Sequence, residues 1–261
     1  MLISLIVSTY NRPDALNLVL QSLNQQTDTE FEVIVADDGS KEDTRQMVHA
    51  FQKNFSRPLL HAWHEDTGFR LAAVRNLAVK HSSGSYLIFL DGDCIVQNDF
   101  IANHRRLSEQ HHFVTGSRVL LNPSLTNHIL SQPVWNFSSL KKHLVKYRLN
   151  GSINKLLCFY LKLGNLRMRY HNSFKWRGIK GCNFACWRQD FEQVKGYDEG
   201  FEGWGHEDAD LVFRLHLAGL KRKTGALSTE VLHLYHPENN RSQADKNKAK
   251  VLQRMAELSG R

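Results

Sequence analysis

Short uninterrupted runs of apolar residues recur along the first half of the chain, and each of them ends at polar residues. The clearest run covers residues 86–90, with the sequence YLIFL, and stops at Asp91-Gly92-Asp93. Similar runs cover residues 2–8 and 31–36. Apolar residues that follow each other without alternation are typical of a strand buried on both faces, as in a parallel sheet. The pattern therefore predicts three central strands of such a sheet.

Helical patterns separate these strands. Leu16, Val19, Leu20 and Leu23 recur at the spacing of one helix face. Strands that alternate with helices predict an α/β fold, in which helices cover both faces of a mostly parallel sheet. By the same reasoning, further helices are expected at 44–53, 70–80, 99–110, 155–162, 207–218 and 243–258, and short strands at 59–64 and 113–117.

Polar residues follow three of the predicted strands: Thr9-Tyr10-Asn11, Asp37-Asp38 and 91–93. Because the carboxyl ends of parallel strands meet at one edge of a sheet, we expect these groups to line one ligand site. Asp91 and Asp93 would repel each other, and a divalent metal that carries a phosphate would relieve the repulsion. An ordinary Asp-Gly turn is the alternative. Neither GxGxxG nor GxxxxGK[ST] follows the first strand, which argues against NAD enzymes and P-loop NTPases.

A second group of polar residues lies near the start of the predicted helix at 207–218. Glu207 and Asp208 follow Gly203-Trp204-Gly205. Acidic residues are favoured at a helix N-terminus by the helix dipole, which is the purely structural explanation. A carboxylate beside an aromatic platform could also act as a general base toward a sugar. Further on, His233 and His236 follow an apolar strand and could supply metal ligands, although the pair could be coincidental in a chain with 14 His.

Charge is distributed unevenly along the 261 residues, whose formal net charge is +8. No Asp or Glu occurs between Glu109 and Asp190, whereas thirteen Lys and Arg lie between Arg118 and Arg188; the rest of the chain, with 21 basic and 26 acidic residues, has a net charge of −5. A local basic block points to an anionic partner. It is interleaved with aromatic residues: Trp135, Phe137, Tyr147, Phe159, Tyr160, Tyr170, Phe174 and Trp176.

Cysteine usage and hydropathy indicate a cytoplasmic protein. The four cysteines form no CxxC pair, which fits a reducing compartment. The N-terminal apolar stretch is too short for a signal peptide and has no basic leader. No run of apolar residues approaches the length of a membrane span.

Several motifs in order resemble the family 2 glycosyltransferases with the GT-A fold: 7–12 (VSTYNR), 35–40 (VADDGS), 68–76 (GFRLAAVRN) and 91–93 (DGD). Residues 181–185 (GCNFA) and 196–208 resemble the C-terminal region shared by β-1,4-galactosyltransferases and polypeptide GalNAc-transferases. The resemblance covers about residues 1–117 and 180–237. It implies a nucleotide-sugar-binding half at 1–117, a helical basic insertion at 118–180, an acceptor-binding and catalytic half at 181–237 and a polar tail at 238–261.

The resemblance also implies roles for individual residues. The UDP-sugar would be held by Thr9, Tyr10, Arg12, Asp38, Arg70, Asp91 and Asp93. Asp93 would be the main ligand of a metal ion. His236 would complete the metal site, and His233 stands where the galactosyltransferase motif has a second ligand. Glu207 would bind the sugars, Asp208 would be the catalytic base, and Trp204 and Asn183 would contact the acceptor. Because imidazole is a softer ligand than carboxylate, we expect Mn²⁺ in preference to Mg²⁺.

These observations favour an inverting, metal-dependent transferase that moves galactose, glucose or an N-acetylhexosamine from a UDP-sugar to a saccharide hydroxyl. The basic block suggests a lipid-linked, anionic acceptor, such as lipopolysaccharide or another bacterial surface glycan. The enzyme would then work at the inner face of the plasma membrane, against its anionic surface. A catalytically silent nucleotide-sugar-binding or scaffold protein would not need Glu207 and Asp208. A nucleic-acid-binding protein would account for the basic block but not for the acidic strand ends, so we expect no nucleic acid partner.

Overall fold

A computed structural model of the chain describes residues 1–171, 173–174, 179–237 and 241–259. Trp176 of the basic block and the first three residues of the predicted tail lie outside these ranges. The strands are β1 (Ile3–Thr9), β2 (Phe31–Asp37), β3 (Leu59–Trp63), β4 (Tyr86–Asp91), β5 (Cys94–Val96), β6 (His112–Thr115), β7 (Ser117–Leu120), β8 (Tyr170–His171), β9 (Asn183–Trp187), β10 (Lys221–Thr224) and β11 (Glu230–His233). The α-helices are α1 (Pro13–Asn24), α2 (Glu42–Gln52), α3 (Leu71–Lys80), α4 (Phe100–Leu107), α5 (Pro123–Leu130), α6 (Phe137–Lys141), α7 (Leu144–Leu149), α8 (Arg188–Gln193), α9 (Glu207–Leu217) and α10 (Ala244–Ser259).

The main sheet has the strand order β3-β2-β1-β4-β9-β6-β10-β8. Strands β3, β2, β1 and β4 run parallel to each other, and β9 is antiparallel to both β4 and β6. The register places Thr9 opposite Asp37 and Ser8 opposite Asp91. The polar strand ends therefore meet at one edge, as the alternation of strands and helices predicted.

The sheet lies between two hydrophobic clusters because its central strands alternate between them. In β1, Leu5 and Val7 belong to one cluster and Ile6 to the other; in β4, Ile88 and Phe89 divide in the same way. All seven residues of β1 and of β2 are buried. Burial on both faces explains the uninterrupted apolar runs in the sequence. The close packing of these strands also fixes the positions of the acidic residues at their ends.

A small second sheet, β5-β11-β7, lies beside the end of β4. Strand β5 begins at Cys94, directly after the 91–93 turn, and Cys94 is paired with His233 at the end of β11. The backbone N–H of Leu234 donates to the carbonyl of Asp93 at 3.0 Å. Pairing of these strands thus brings the second predicted metal-ligand region to the 91–93 turn.

The basic segment begins as helices and then becomes irregular. Helices α5, α6 and α7 cover much of residues 123–149. The helix predicted over 155–162 is wrong, because only the single 3₁₀ turn Leu157–Phe159 forms there. Cys158 and Phe159 are buried, whereas Leu157 is exposed. The apolar residues of this stretch therefore do not form one continuous helix face.

The C-terminal segment forms the helix expected over 243–258. Helix α10 lies against α9, and Arg254 forms ion pairs with Asp198 and Asp210. Within the described ranges, every helix is too short or too polar to cross a bilayer.

Candidate active site

A cleft of about 930 Å³ opens at the carboxyl ends of β1, β2 and β4. One wall is formed by the strand ends and the other by the loop before α9 together with the first turn of that helix. The cleft contains most of the residues that the sequence singled out: Thr9, Tyr10, Arg12, Asp38, Asp91, Asp93, Trp204, Glu207, Asp208 and His236. Two motif groups that are more than a hundred residues apart in sequence therefore face each other across one cavity.

Arg75 connects the two walls of the cleft. Its guanidinium donates to Asp91 Oδ1 at 2.9 Å on one side and to Asp208 Oδ1 at 3.0 Å on the other. It also donates to Ser8 Oγ at 3.1 Å, and only 1% of its side chain is exposed. A buried cation that bridges two carboxylates holds them at a fixed separation. Arg75 lies within the 68–76 motif, but no local sequence pattern indicates this bridging role.

Burial and mutual repulsion raise the pKa of two carboxylates close to Arg75, those of Glu207 and Asp91. Burial, followed by repulsion from Asp208, raises the pKa of Glu207 to about 8, although the Arg75 charge opposes this change. Burial likewise raises the pKa of Asp91, again against the influence of Arg75. Among the described residues, Glu207 Oε2 has no hydrogen-bond partner. Glu207 is therefore suited to hydrogen bonding with a ligand in the cleft.

Asp208 is the most accessible carboxylate at the start of α9. Its side chain is 21% exposed, compared with 8% for Glu207 and 0% for Asp210. A Cβ on Gly181 would collide with its carboxylate, so a glycine at this position makes room for Asp208. Asp210 instead pairs with Arg214 and Arg254. The acids at this helix start therefore differ in role, and only Asp210 has a purely structural environment.

Asp93 lies between two imidazoles at the end of β4. His236 Nε2 is 3.3 Å from Asp93 Oδ2, and His233 Nε2 is 3.8 Å from Oδ1. His236 Nδ1 is 2.7 Å from the carbonyl oxygen of Pro237, which can only accept a hydrogen bond. That contact assigns the proton of a neutral His236 to Nδ1 and leaves Nε2 free as a ligand atom. One carboxylate and two imidazole nitrogens are a suitable donor set for a divalent metal.

Cys94 also lies near this group. One atom each of Asp93, Cys94 and His233 lie within 4.8 Å of one another. Burial raises the pKa of the Cys94 thiol well above its usual range, and the neighbouring Cys182 adds to the effect. Coordination by Cys94 would require loss of the thiol proton, which a bound metal ion can itself bring about. Cys94 is therefore a further candidate donor beside Asp93 and His233.

The opposite end of the cleft presents polar groups at the ends of β1 and β2. Asp38 accepts hydrogen bonds from His64 Nε2 at 2.6 Å and from the backbone N–H of Arg70 at 2.9 Å. Tyr10 is 46% exposed and donates to Asp66 at 2.8 Å. The Thr9 hydroxyl is buried and has no partner among the described residues. An exposed ring next to an unpaired hydroxyl can receive a flat, polar nucleoside.

Two predicted binding residues are positioned differently from the rest. Asn183 cannot contact an acceptor, and that prediction is wrong: its side chain is fully buried in β9 and donates to the carbonyl of Thr229 while lying 3.2 Å from His104 Nε2. Arg70 does not line the cleft through its guanidinium, which donates to Thr67 at 3.2 Å. Its contribution is the backbone N–H that holds Asp38.

Trp204 projects into the cleft from a loop with unusual backbone geometry. Gly203, Gly205 and His206 all have positive φ, of 74°, 101° and 75°. Such values are readily adopted by glycine but are uncommon for histidine, and they are typical of loops shaped for function. Arg241 lies 4.7 Å from the centre of the Trp204 ring. The loop thus presents an aromatic face immediately before Glu207 and Asp208.

Comparison with solved structures identifies the fold. GalNAc-T7 with UDP, GalNAc and Mn²⁺ gives a TM-score of 0.65 at 17% identity, covering 97% of this chain and 48% of that one. Staphylococcus aureus TarS 1-349 with UDP-GlcNAc gives 0.62 at 17%, covering 98% and 66%. The mannosyltransferase PcManGT from Pyrobaculum calidifontis with GDP-Man and Mn²⁺ gives 0.62 at 16%, covering 99% and 64%. The protein therefore has the expected GT-A fold.

Relatives in sequence include chondroitin synthase of Pasteurella multocida, 28% identical over 83% of this chain and 23% of the relative. Validoxylamine A glucosyltransferase of Streptomyces hygroscopicus subsp. jinggangensis is 27% identical over 84% of this chain and 52% of the relative. The chain thus spans about a quarter and about half of these two proteins. The uncharacterized glycosyltransferase YfnE of Bacillus subtilis is 31% identical over 93% of this chain and 67% of its own length.

Family profiles agree with the positions of the motifs. The profile described as N-terminal domain of galactosyltransferase matches residues 162–237, which include Trp204, Asp208 and His236. The profile described as glycosyl transferase family 2 matches residues 4–184, which include both the polar strand ends and Arg75. The chain belongs to glycosyl transferase family 2.

Proposed function

We propose that the protein transfers a hexose, namely galactose, glucose or an N-acetylhexosamine, from a UDP-sugar to a saccharide hydroxyl with inversion of configuration. The observation that supports this most is the Arg75 bridge, which places Asp91 and Asp208 on opposite sides of one cleft. Residues 1–117 would form the donor half and 181–237 the acceptor half. The bridge would hold the base of one half against the nucleotide site of the other.

Each residue of the cleft has a separate task in this proposal. Thr9, Tyr10 and Asp38 hold the nucleoside, with Arg12 at the rim of the cleft. Asp208 accepts the proton of the acceptor hydroxyl as the hydroxyl oxygen attacks the anomeric carbon from the face opposite the departing UDP. Glu207, whose raised pKa favours the protonated form near neutrality, orients the sugars by hydrogen bonding. Trp204 provides a platform for a sugar ring.

Asp93, His236 and His233 would hold a divalent metal ion. Mn²⁺ is proposed over Mg²⁺ because imidazole ligands suit the softer ion, whereas Mg²⁺ prefers oxygen ligands and retains its waters. When bound, such an ion neutralises charge on the leaving diphosphate. Two of the structural neighbours contain Mn²⁺ with a nucleotide or nucleotide sugar in their names, which supports a metal of this class.

The acceptor proposed here is a growing bacterial surface glycan, such as the saccharide of lipopolysaccharide. The basic segment supports this choice, since acceptors of this kind are commonly anionic and lipid-linked. The chondroitin synthase relative, by its name, makes an acidic polysaccharide, which is compatible with an anionic acceptor. The enzyme would act on the cytoplasmic side of the plasma membrane as a peripheral protein.

Release of nucleoside diphosphate from a panel of donors tests the donor assignment. UDP-galactose, UDP-glucose, UDP-GlcNAc and UDP-GalNAc are compared with GDP-mannose, each with Mn²⁺, with Mg²⁺ and with a chelator. We expect turnover with a UDP-sugar, more with Mn²⁺ than with Mg²⁺ and none with the chelator. Preference for GDP-mannose would reject the UDP assignment, and equal turnover with both metals would reject the histidines as ligands.

Substitution of Asp93 tests the metal assignment independently of turnover. Asp93→Ala is expected to remove the Mn²⁺-dependent part of UDP binding, measured by calorimetry with and without chelator. His233→Ala should weaken that binding less than His236→Ala, because His233 is farther from Asp93. Glu42→Ala provides a control, since it removes an exposed carboxylate on α2 that neither belongs to the metal group nor lines the cleft. An Asp93→Ala protein that binds UDP as tightly with Mn²⁺ as the original would contradict the assignment.

A further inference from the structure

The basic segment presents a face on which exposed apolar and cationic side chains alternate. Helix α7 exposes Val145 by 52% and Leu149 by 83%, and Lys146 and Arg148 are exposed between them. We call this the α6–α7 face, which consists of Lys141, Lys142, Val145, Lys146, Arg148, Leu149, Lys155, Leu157, Tyr160 and Leu161. All ten residues are exposed.

The aromatic residues of the segment divide into buried and exposed groups. Trp135, Phe137 and Phe159 pack in a row, with ring centres 6.4 and 6.1 Å apart, as part of the hydrophobic core. Tyr160 is 55% exposed, and Lys141 Nζ lies 5.9 Å from the centre of its ring. The buried row therefore fixes α6 against the 157–161 segment. The exposed Lys141 and Tyr160 therefore lie side by side on the outside of this packed row.

This face adjoins the active-site cleft. Lys155 Nζ donates to Ser117 Oγ at 2.6 Å, and the Asn154 side chain accepts from the backbone N–H of Leu120 at 2.9 Å. Both contacts hold the segment along β7, and Arg118 of the same strand lines the cleft. An acceptor that approaches across the α6–α7 face would thus reach the cleft without leaving the basic surface.

The composition of the face distinguishes between possible anionic partners. A soluble polyanion would be attracted by the lysines and arginine but would gain nothing from Val145, Leu149 and Leu157, whose exposure to water is unfavourable. The headgroup region of a bilayer accommodates both kinds of side chain, because basic residues meet the anionic lipids and apolar ones enter the acyl boundary. Tyrosine is also favoured at that depth.

We propose that the α6–α7 face docks on an anionic lipid bilayer and brings the cleft to an acceptor embedded in that membrane. The inference deepens the proposed function by assigning the surface that contacts the lipid, and it rests on that function only for the nature of the acceptor. Binding to lipid is a property of the folded protein and does not require turnover, so the two can fail separately.

Sedimentation with vesicles tests the docking. The full chain is mixed with phosphatidylcholine vesicles that either lack or contain about a third phosphatidylglycerol, at low and at high salt. Binding is expected only with the anionic vesicles, and it should weaken as salt rises. Lys141→Gln, Lys142→Gln and Lys146→Gln combined should reduce the partition coefficient on the order of 100-fold, since each cation contributes about fivefold.

Two further variants separate docking from general charge attraction. Lys53→Gln, Lys80→Gln and Lys246→Gln combined remove the same charge from exposed positions outside the face, and should lower binding less than about fivefold. Leu149→Ser with Leu157→Ser should lower it at least about fivefold, which a purely electrostatic contact would not do. Transfer of the sugar to a water-soluble acceptor, measured by the UDP released, should be the same for all three variants.

Several results would overturn the proposal. Equal binding to neutral and anionic vesicles, or binding to neither, would exclude docking of this kind even if the enzyme is active. Binding to dextran sulfate without binding to vesicles would assign the face to a soluble polyanion. Equal losses in the two triple-lysine variants would show that the total charge, and not this face, controls binding.

Discussion

Asp208 provides the sharpest test of the reaction chemistry. Asp208→Asn keeps the shape of the side chain and its position beside Arg75, but it removes the proton acceptor. General-base contributions are about 10²–10⁴ in rate. We therefore expect kcat to fall by about that factor while the dissociation constant for the UDP-sugar stays within about twofold.

Steady-state release of UDP and calorimetric titration of the donor give the two quantities. Asp210→Asn is a poor control because Asp210 pairs with two arginines. Asp43→Asn is better matched, since Asp43 is an exposed acid in the first turn of α2, as Asp208 is an acid in the first turn of α9, and it is not among the residues that line the cleft. An Asp208→Asn enzyme with half of the original kcat would exclude Asp208 as the base.

Glu207 should make the stability of the protein depend on pH. Its pKa is raised from 4.5 to about 8 in the folded chain, so the folded state binds a proton that the unfolded state releases. The stabilisation is complete below about pH 4.5 and is lost as pH rises through about 8. Thermal unfolding of the original chain and of Glu207→Gln should therefore diverge between about pH 4.5 and 8, with the original losing more stability as pH rises.

The comparison cancels the contribution of Asp38, which remains in both proteins and is not among the groups that shift the pKa of Glu207. Parallel curves of Tm against pH for the two proteins would mean that Glu207 does not bind a proton in the folded state. A steeper fall for Glu207→Gln would contradict the direction of the pKa change.

The sequence predicted residues whose chemistry is visible in a local motif and missed those defined by distant contacts. Asp93 and Asp208 stand in recognisable patterns of acids and glycines. Arg75 is separated by 16 residues from Asp91 and by 133 from Asp208, and only the folded chain shows that it joins them. The error at Asn183 has a related cause. Its motif lies next to the cleft, but strand pairing of β9 directs that side chain toward Thr229.

At the level of elements, Arg169 fastens the irregular part of the basic segment to the rest of the fold. The side chain is 1% exposed, and its guanidinium donates to four backbone carbonyls and one hydroxyl: Leu163, Gly164, Thr224, Ala226 and Ser228. Arg169→Met would leave several buried acceptors without a donor. Each such group costs about 1–3 kcal/mol, so we expect a loss of about 3–5 kcal/mol in the free energy of unfolding.

Urea unfolding measures this loss, and Arg167→Met serves as the comparison, since Arg167 is exposed in the same turn. The Arg167 variant should differ from the original by less than about 0.5 kcal/mol. Equal stabilities of the two variants would mean that the carbonyls around Arg169 find other partners or water.

Long elements with a regular pattern were predictable, and short ones were not. The runs at 2–8, 31–36 and 86–90 became strands because burial on both faces leaves a strong apolar signature. Strands β5 and β7 have three and four residues, too few for a period to be recognised. The prediction of a helix over 155–162 is wrong for another reason. The apolar residues of this segment are partly packed against the core and partly exposed on the α6–α7 face. Propensity along the chain cannot distinguish these environments.

In the whole molecule, the two halves proposed from sequence share one sheet. Strand β9, from residues 181–237, lies between β4 and β6 of residues 1–117, with Leu87 opposite Cys186 and Val114 opposite Ala185. The hydrophobic cluster that contains Phe89 also contains Phe184, Phe191 and Leu211, so neither half encloses a core of its own. The proposed donor and acceptor sites would therefore be regions of a single structural unit.

This shared sheet predicts that the chain unfolds in one cooperative transition. Trp63 at the end of β3 and Trp204 in the loop before α9 report on the first and the second half, so variants that retain only one of them as a fluorophore should give the same urea midpoint and slope. A fragment of residues 1–117 should not fold, because without β9 the inner edges of β4 and β6 and the apolar surface of Phe89 would face water. Two separated midpoints, or a monomeric 1–117 fragment with dispersed amide resonances, would instead establish two independent domains and require the Arg75 bridge to act across a movable interface.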